Sequence, residues 1–454
     1  MDYGEKNILV LGAGSSGIGA AWVLAQLHAN VVLNDYKPVE FESSTRKKLD
    51  DAGVTIITGR QDNSLLNGVD RIVISPGIAL SIPIVQEAFN RHIEVVSEVE
   101  LAYDVCKSPI LGVTGTNGKT TTTTLLTQVM ESTGLPIKVG GNIGDSLSEA
   151  AFNMPEGGYL IAELSSYQLE TIKSFCPLGA IVLNVTPDHL ARHKTMENYA
   201  AAKARIFMNQ NAENFVVLND DDPIVAAMKK DVHSKILSIS QHHKVECGAY
   251  FEGNTCYAVL NGNVISVIDT EQIHIKGAHN IENILSVIAL TYALGVDVER
   301  IKRTIENFHG VEHRLERVTT IHDVTFYNDS KATNTDSVVK ALDAFDKPVI
   351  LLAGGHDKMT PLEDFMNVVK KNTKEVIFMG EAAERFESVA TKVGVTNIHR
   401  AQSMKEAVEL GYKLAEPSDI VLLSPACSSF DWYSCFEERG DDFKKCVKEL
   451  EERG

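Results

Sequence analysis

The stretch Gly112-Val-Thr-Gly115-Thr116-Asn117-Gly118-Lys119-Thr120-Thr121 sets glycines immediately ahead of a lysine and a run of hydroxyls. Glycines let backbone N–H groups curl around phosphate oxygens, and a helix that starts there adds its dipole. The lysine would reach the β- and γ-phosphates, and Thr120 would place a hydroxyl on Mg²⁺. The spacing departs from the usual G-x-x-x-x-G-K-[ST], which needs glycine where this chain has Val113. The pattern present is G-x-x-G-x-x-G-K-T. The alternative is a Gly/Thr-rich turn before an ordinary helix. The flanks favour phosphate: Pro109–Val113 reads as a buried strand, and Leu125–Met130 has helical apolar spacing.

A second glycine loop lies near the N-terminus. Asn7–Leu11 reads as a strand, Gly12-Ala-Gly14-Ser15-Ser16-Gly17 opens a helical pattern, and a strand over 31–35 ends in Asp35. This is G-x-G-x-x-G with an acid about 20 residues on, the dinucleotide fingerprint. Its chemistry demands only a tight turn that brings backbone to a diphosphate, so a UDP-linked substrate suits it as well as NAD or FAD. Ser75, in a Ser-Pro-Gly turn after the strand 71–75, sits where ligands of open α/β sheets bind.

Further polar residues fall at predicted strand ends. Glu163 ends the strand 159–163 and suits Mg²⁺, a hard cation that takes oxygen; the alternative is an acid favouring a helix N-terminus. His189 follows the strand 180–184, where a helix cap or a core histidine is the competing reading. Lys203 lies among alanines in a helical stretch over 196–208, and spacing alone makes it a surface lysine. Asn280 and Asn283 share a helix face, fit either to hold a purine or to cap the helix. Residues 248–275 alternate as a β meander. Four strands of the last third end in polar or glycine turns, at Asp329-Ser-Lys331-Ala-Thr333, Gly354-Gly-His-Asp-Lys358, Gly380 and Pro425-Ala-Cys-Ser-Ser429-Phe430.

The 454 residues exceed one ordinary domain. The expected division is 1–97, 98–311 and 312–454: a Rossmann-like first domain, a central α/β domain of P-loop ATPase type, and a Rossmann-like, doubly wound third domain. A net charge of −18 argues against non-specific nucleic-acid binding. Seven scattered cysteines without C-x-x-C fit a reduced, cytoplasmic compartment. No secretory leader and no membrane span are expected.

In chain order, Gly115-Thr-Asn-Gly-Lys-Thr120, Gly141-Asn142-Ile-Gly144, Glu163-Leu-Ser-Ser166, Asn184-Val-Thr-Pro-Asp-His189, Gly277-Ala-His-Asn280, Glu312-His-Arg314, Asn328-Asp-Ser-Lys-Ala-Thr333 and Ser424-Pro-Ala-Cys427 resemble the Mur ligase family over nearly the whole chain. The last two motifs resemble the member that adds D-glutamate; the Asn-Pro-Arg motif of the relative that adds a diamino acid is absent. The resemblance implies a bacterial, cytoplasmic ATP-dependent ligase of cell-wall precursor synthesis. It would join D-glutamate to UDP-N-acetylmuramoyl-L-alanine through an acyl phosphate, as a monomer without nucleic-acid partners.

By resemblance, Gly14, Ser15, Ser16, Gly17 and Asp35 hold the UDP part, and Ser75, Asn142 and His189 the muramoyl-alanine side. Gly115 to Thr121 together with Asn280, Asn283, Arg314, Asp329 and Lys331 hold ATP. Thr333, Lys358, Ser429, Phe430 and Phe436 receive D-glutamate. Two Mg²⁺ sites are implied on Thr120, Glu163, His189 and Lys203, the last as a CO₂-derived carbamate, with Lys119, His189 and Lys203 catalytic. Where the family often reads Leu-Asp-Arg after the His, this chain has Leu190-Ala191-Arg192. Competing readings are a sister ligase with another amino acid, a nicotinamide-dependent dehydrogenase and a non-catalytic nucleotide-binding scaffold.

Overall fold

The structure is a computed structural model that describes residues 3–142, 146–275, 277–357 and 359–453. Its strands form three sheets, each confined to one of the three expected segments. The first comprises β1 (Asn7–Leu11), β2 (Asn30–Asp35), β3 (Thr55–Thr58), β4 (Arg71–Ile74) and β5 (Glu94–Ser97), all parallel in the order β3-β2-β1-β4-β5. The direction of winding reverses between β1 and β4. Such a switch point opens a crevice at the strands' carboxyl ends, and there the Gly12–Gly17 loop and Ser75 emerge. Leu9, Val10, Leu33, Val73 and Val96 are fully or almost fully buried, because a parallel sheet is covered on both faces.

The second sheet comprises β6 (Ile110–Thr114), β7 (Ile137–Gly141), β8 (Tyr159–Glu163), β9 (Gly179–Val182), β10 (Phe215–Asn219), β11 (Lys235–Ser240), β12 (Gly248–Glu252), β13 (Thr255–Leu260) and β14 (Asn263–Asp269). The order is β14-β13-β12-β11-β10-β9-β6-β8-β7. The expected meander is its antiparallel end, β12 to β14. Central β6 lies between β8 and β9, with Val113 paired to Glu163 and Thr114 to Val182. The phosphate loop, Glu163 and Asn184 therefore leave one edge side by side.

The third sheet comprises β15 (Glu316–Ile321), β16 (Val324–Asn328), β17 (Val349–Gly354), β18 (Thr373–Met379), β19 (Ile398–Ala401) and β20 (Ile420–Leu423), ordered β15-β16-β20-β17-β18-β19. It is parallel except for the β15–β16 hairpin. Asn328, Leu423 and Gly354 end adjacent strands, so their turns share an edge.

The chain folds as two compact units, one of Met1–Ile273 with Ile281–Asn307, the other of His274–Asn280 with Phe308–Gly454. Among the described residues no helix is long and apolar enough to cross a membrane.

Candidate active site

In the first unit the phosphate loop joins β6 to the helix Lys119–Glu131. Gly118 takes φ +83°, and a Cβ there would lie 2.3 Å from Asn283 Oδ1, so both conformation and space require glycine. Lys119 Nζ donates to the carbonyls of Gly115 at 3.0 Å and Thr116 at 2.8 Å. Asn184 braces the loop from β9: its Oδ1 accepts Asn117 N–H at 2.9 Å and its Nδ2 donates to Asn117 O at 3.2 Å. Thr120 and Thr121 are buried in the helix's first turn.

Lys203 is no surface lysine. It is 1% exposed, and Nζ donates to Gly115 O at 2.6 Å, the carbonyl that Lys119 also uses. Its ammonium stands 4.5 Å from the centre of the Tyr199 ring, and Tyr199 OH lies 3.2 Å from Thr116 Oγ1. Burial, then the charge of Lys119, pulls Lys203 well below the ordinary lysine range, against a weaker opposite pull from Asp188.

Glu163 is 1% exposed. Its Oε1 accepts Asn142 Nδ2–H at 2.9 Å, and its Oε2 is buried without a hydrogen bond. An unpartnered buried carboxylate oxygen beside a phosphate loop fits a hard cation. His189 is half exposed and takes the left-handed φ of 55° at the start of a short helix. Its Nδ1 lies 2.9 Å from Tyr167 OH and its Nε2 3.4 Å from Asp188. Asn280 and Asn283 are buried on the helix Ala278–Ala293, and Asn283 Oδ1 accepts Thr122 Oγ1–H at 3.2 Å.

At the first sheet's switch point, Gly14 precedes the helix Ser15–Gln26, with Ser15, Ser16 and Gly17 in its first turn. Asp35 fixes the loop: its two oxygens accept the N–H groups of Ala13 and Lys37, each at 2.9 Å. Ser75 Oγ donates to Gly12 O at 3.3 Å. Arg192 reaches the same turn, donating to the carbonyls of Pro76 and Ile78 while paired with Glu170 at 2.5 Å.

The second unit gathers a further set. Asp329 is 1% exposed; Ser424 Oγ–H donates to it at 2.7 Å and Leu315 N–H at 3.2 Å. Burial pushes its carboxyl up to about 6, although Arg314 opposes the rise. Lys331 Nζ stands 4.7 Å from the centre of the Phe436 ring. Arg439, 2% exposed, binds Ser330 and the Cys427 carbonyl and so ties the Asp329 turn to the Ser424 turn. Ser429 is buried, Thr333 half-buried, and Phe430 is 68% exposed. Lys358 and Gly144 lie outside the described residues.

Sequence reasoning gave no role to Asn184, Tyr199, Arg192 or Arg439. Asn184 carried a usable signal: a carboxamide directly after a buried strand on a ligand edge. Arg439 carried none, since a lysine-, arginine- and acid-rich terminal helix reads as solvated.

A phosphate loop on a parallel sheet, an orphaned carboxylate oxygen and a desolvated lysine define a nucleotide-using α/β enzyme. Comparison with known proteins narrows the class. Three family models match in succession: the Mur ligase MurD-like N-terminal domain over residues 6–97, the Mur ligase middle domain over 113–291, and the Mur ligase glutamate ligase domain over 313–427. The chain belongs to the Mur ligase family. Curated UDP-N-acetylmuramoylalanine–D-glutamate ligases of Thermoanaerobacter pseudethanolicus and Caldanaerobacter subterraneus subsp. tengcongensis are 41% and 42% identical, over 99% of this chain and 100% of each relative. Among solved structures, UDP-N-acetylmuramate–alanine ligase MurC of Thermotoga maritima superposes with a TM-score of 0.61 at 17% identity, covering 98% of this chain and 99% of that one. MurF of Acinetobacter baumannii gives 0.62 at 16% identity over 96% and 93%. Those structural likenesses carry the fold. The family works with ATP and Mg²⁺, which the oxygen donors described above suit.

Proposed function

We propose that this protein joins D-glutamate to UDP-N-acetylmuramoyl-L-alanine at the expense of ATP, in the cytoplasm and as a monomer. The observation that carries the reading is the likeness to D-glutamate ligases at 41% identity across all three segments, including the one expected to receive the amino acid. Gly14 to Gly17, with Asp35 shaping the loop, hold the UDP part; Ser75, Asn142 and His189 hold the muramoyl-alanine. Asn280, Asn283, Arg314, Asp329 and Lys331 serve the nucleotide. Thr333, Lys358, Ser429, Phe430 and Phe436 serve D-glutamate.

A carboxylate is a poor acyl donor, so the alanine carboxylate first attacks the γ-phosphorus of ATP and ADP departs. Lys119 offsets charge on the transferring phosphoryl group, as the loop N–H groups do. The D-glutamate amine, as the free base, then adds to the acyl carbon, and the tetrahedral adduct collapses to amide and phosphate. Mg²⁺, when bound, supplies electrostatic stabilisation of the phosphates; Thr120 and Glu163 would hold it, with His189 at a second site. Lys203 belongs there as a carbamate. Its desolvation favours the neutral amine that CO₂ requires, and the product is an anion able to serve a cation.

The test is inorganic phosphate release with ATP, Mg²⁺ and UDP-N-acetylmuramoyl-L-alanine, comparing D-glutamate with L-glutamate, L-alanine and L-lysine. Release with D-glutamate alone is expected. Release with another amino acid instead would move the chain to a sister activity, and no release would overturn the proposal.

A further inference from the structure

In the first unit, one side chain ties the ligand edge of the first sheet to that of the second. Arg192 lies on the short helix Leu190–His193, which follows His189. Its Nε donates to Glu170 Oε1 at 3.2 Å and its Nη2 to Glu170 Oε2 at 2.5 Å. Nη1 donates to Pro76 O at 2.9 Å, and Nη2 donates also to Ile78 O at 3.0 Å. Four of the five N–H groups are thus engaged by protein oxygens. The guanidinium lies over Tyr167, 4.2 Å from the ring centre. Tyr167 belongs to the helix Ser166–Leu169, and Glu170 follows it. Tyr167 OH lies 2.9 Å from His189 Nδ1, and Ser166 Oγ lies 2.9 Å from His193 Nε2. The helix that carries Arg192 is therefore fixed to the segment after β8 at both ends.

The turn that Arg192 grips is itself closed, by Ile78 N–H on Ser75 O at 3.0 Å. A Cβ on Gly12 would come within 2.7 Å of Ser75 and 3.1 Å of the Ile78 side chain, so the turn packs directly on the diphosphate loop. Through this one turn Arg192 joins the Gly12–Gly17 loop to the segments after β8 and β9, beside the phosphate loop. Other ties between the two sheets' segments run between helices: Lys48 Nζ pairs with Glu149 at 2.6 Å, and Ser148 N–H donates to Glu98 Oε1 at 3.0 Å.

In the reaction proposed above, the UDP part is held on the first sheet and ATP on the second. A misplacement of about 1 Å between reacting groups costs about 100-fold in rate. We propose that Arg192 is a positioning residue for phosphoryl transfer: its guanidinium fixes the Ser75–Ile78 turn against the His189 helix and so sets the alanine carboxylate of the UDP-linked substrate at the γ-phosphorus. Lysine cannot replace it, having no planar fork to serve four oxygens while stacking on a ring. The inference rests on the functional reading above.

The test is steady-state phosphate release by the full chain with ATP, Mg²⁺, D-glutamate and UDP-N-acetylmuramoyl-L-alanine, beside calorimetric binding of UDP alone. Arg192→Ala and Arg192→Lys should each lose about 100-fold in kcat, while KM for the UDP-linked substrate and the affinity for UDP stay within about threefold of wild type. Lys48→Gln, which breaks a tie between helices of the same two sheets, should keep kcat within about twofold. A kcat loss of less than about tenfold in Arg192→Ala, a loss carried by KM instead, or an equal kcat loss in Lys48→Gln each overturns the inference alone. Should Arg192→Ala not fold, Arg192→Lys, which keeps the charge and the stem, decides on the same thresholds. A wild-type chain that releases no phosphate overturns the functional reading and the inference with it.

Discussion

Lys203 and Asp329 are ionisable residues whose burial sets their behaviour. For Lys203, spacing among alanines was readable in the sequence, but depth was not, because which face of a short helix meets the sheet is decided by the strands that it covers. The lysine shares the Gly115 carbonyl with Lys119 and sits under Tyr199. If it acts as a carbamate, Lys203→Ala abolishes phosphate release while preserving the fold, and acetate at high concentration restores part of it by placing a carboxylate in the vacated space. Failure of every short carboxylate to restore turnover would count against the carbamate. Asp329 poses the opposite problem, an acid kept dry. Its carboxyl lies near 6 in the fold against an ordinary 3.8. The folded state therefore holds the proton more tightly than the unfolded state. The stability gained from that proton is complete below the unfolded value and is lost as pH rises through the folded one. Asp329→Asn cannot ionise, so its stability relative to wild type should grow with pH across that window by roughly 3 kcal/mol, the worth of about two pKa units. Denaturant melts of both proteins at several pH values check this, and a difference that stays flat would mean that Asp329 is not held protonated.

Strands and glycine turns are the elements that the sequence displayed best. Apolar runs ending in glycine or a polar residue located β1, β4, β6, β8, β16, β17 and β20 closely, because parallel strands covered on both faces leave a continuous apolar signal. β11, β15 and β19 escaped notice. β19 is four residues long, Ile-His-Arg-Ala, and sits on a sheet edge where one neighbour suffices, so little apolar pattern is needed. β15 pairs antiparallel with β16 and carries half-buried threonines, which read as loop. The site was legible where chemistry restricts residue type, as at Gly118-Lys119-Thr120, and illegible where it depends on which loops the sheet order brings together. Asn184 is the clear case: it follows β9, yet holds the loop that follows β6, and only the β9-β6-β8 order shows it. Asn184→Ala removes two hydrogen bonds to Asn117. It should cost about 1–2 kcal/mol of stability and weaken ATP binding more than binding of the UDP-linked substrate, as titrations of the two ligands would reveal. Equal weakening of both would show that the brace is general rather than local to the phosphate loop.

At the scale of the whole molecule, three sheets compose two compact units. The first and second sheets lie in one, and the third sheet lies in the other with His274–Asn280. Three cores suggested by the sequence thus do not imply three separate melting events. Multi-domain chains depart from two-state unfolding along the boundaries of their cooperative units. Two calorimetric transitions are therefore expected, and substitutions should sort between them. Asp329→Asn, in the unit of the third sheet, should raise one transition at alkaline pH and leave the other where it was. Asn184→Ala, in the unit of the first two sheets, should lower the other alone. If the phosphate loop holds ATP with Mg²⁺ as proposed, that ligand should raise the transition that Asn184→Ala lowers, whatever it does to its companion. A single transition moved by both substitutions would mean that the chain unfolds as one cooperative body. Three transitions would mean that the first two sheets, for all that Arg192 and Glu98 reach across from one to the other, come apart independently.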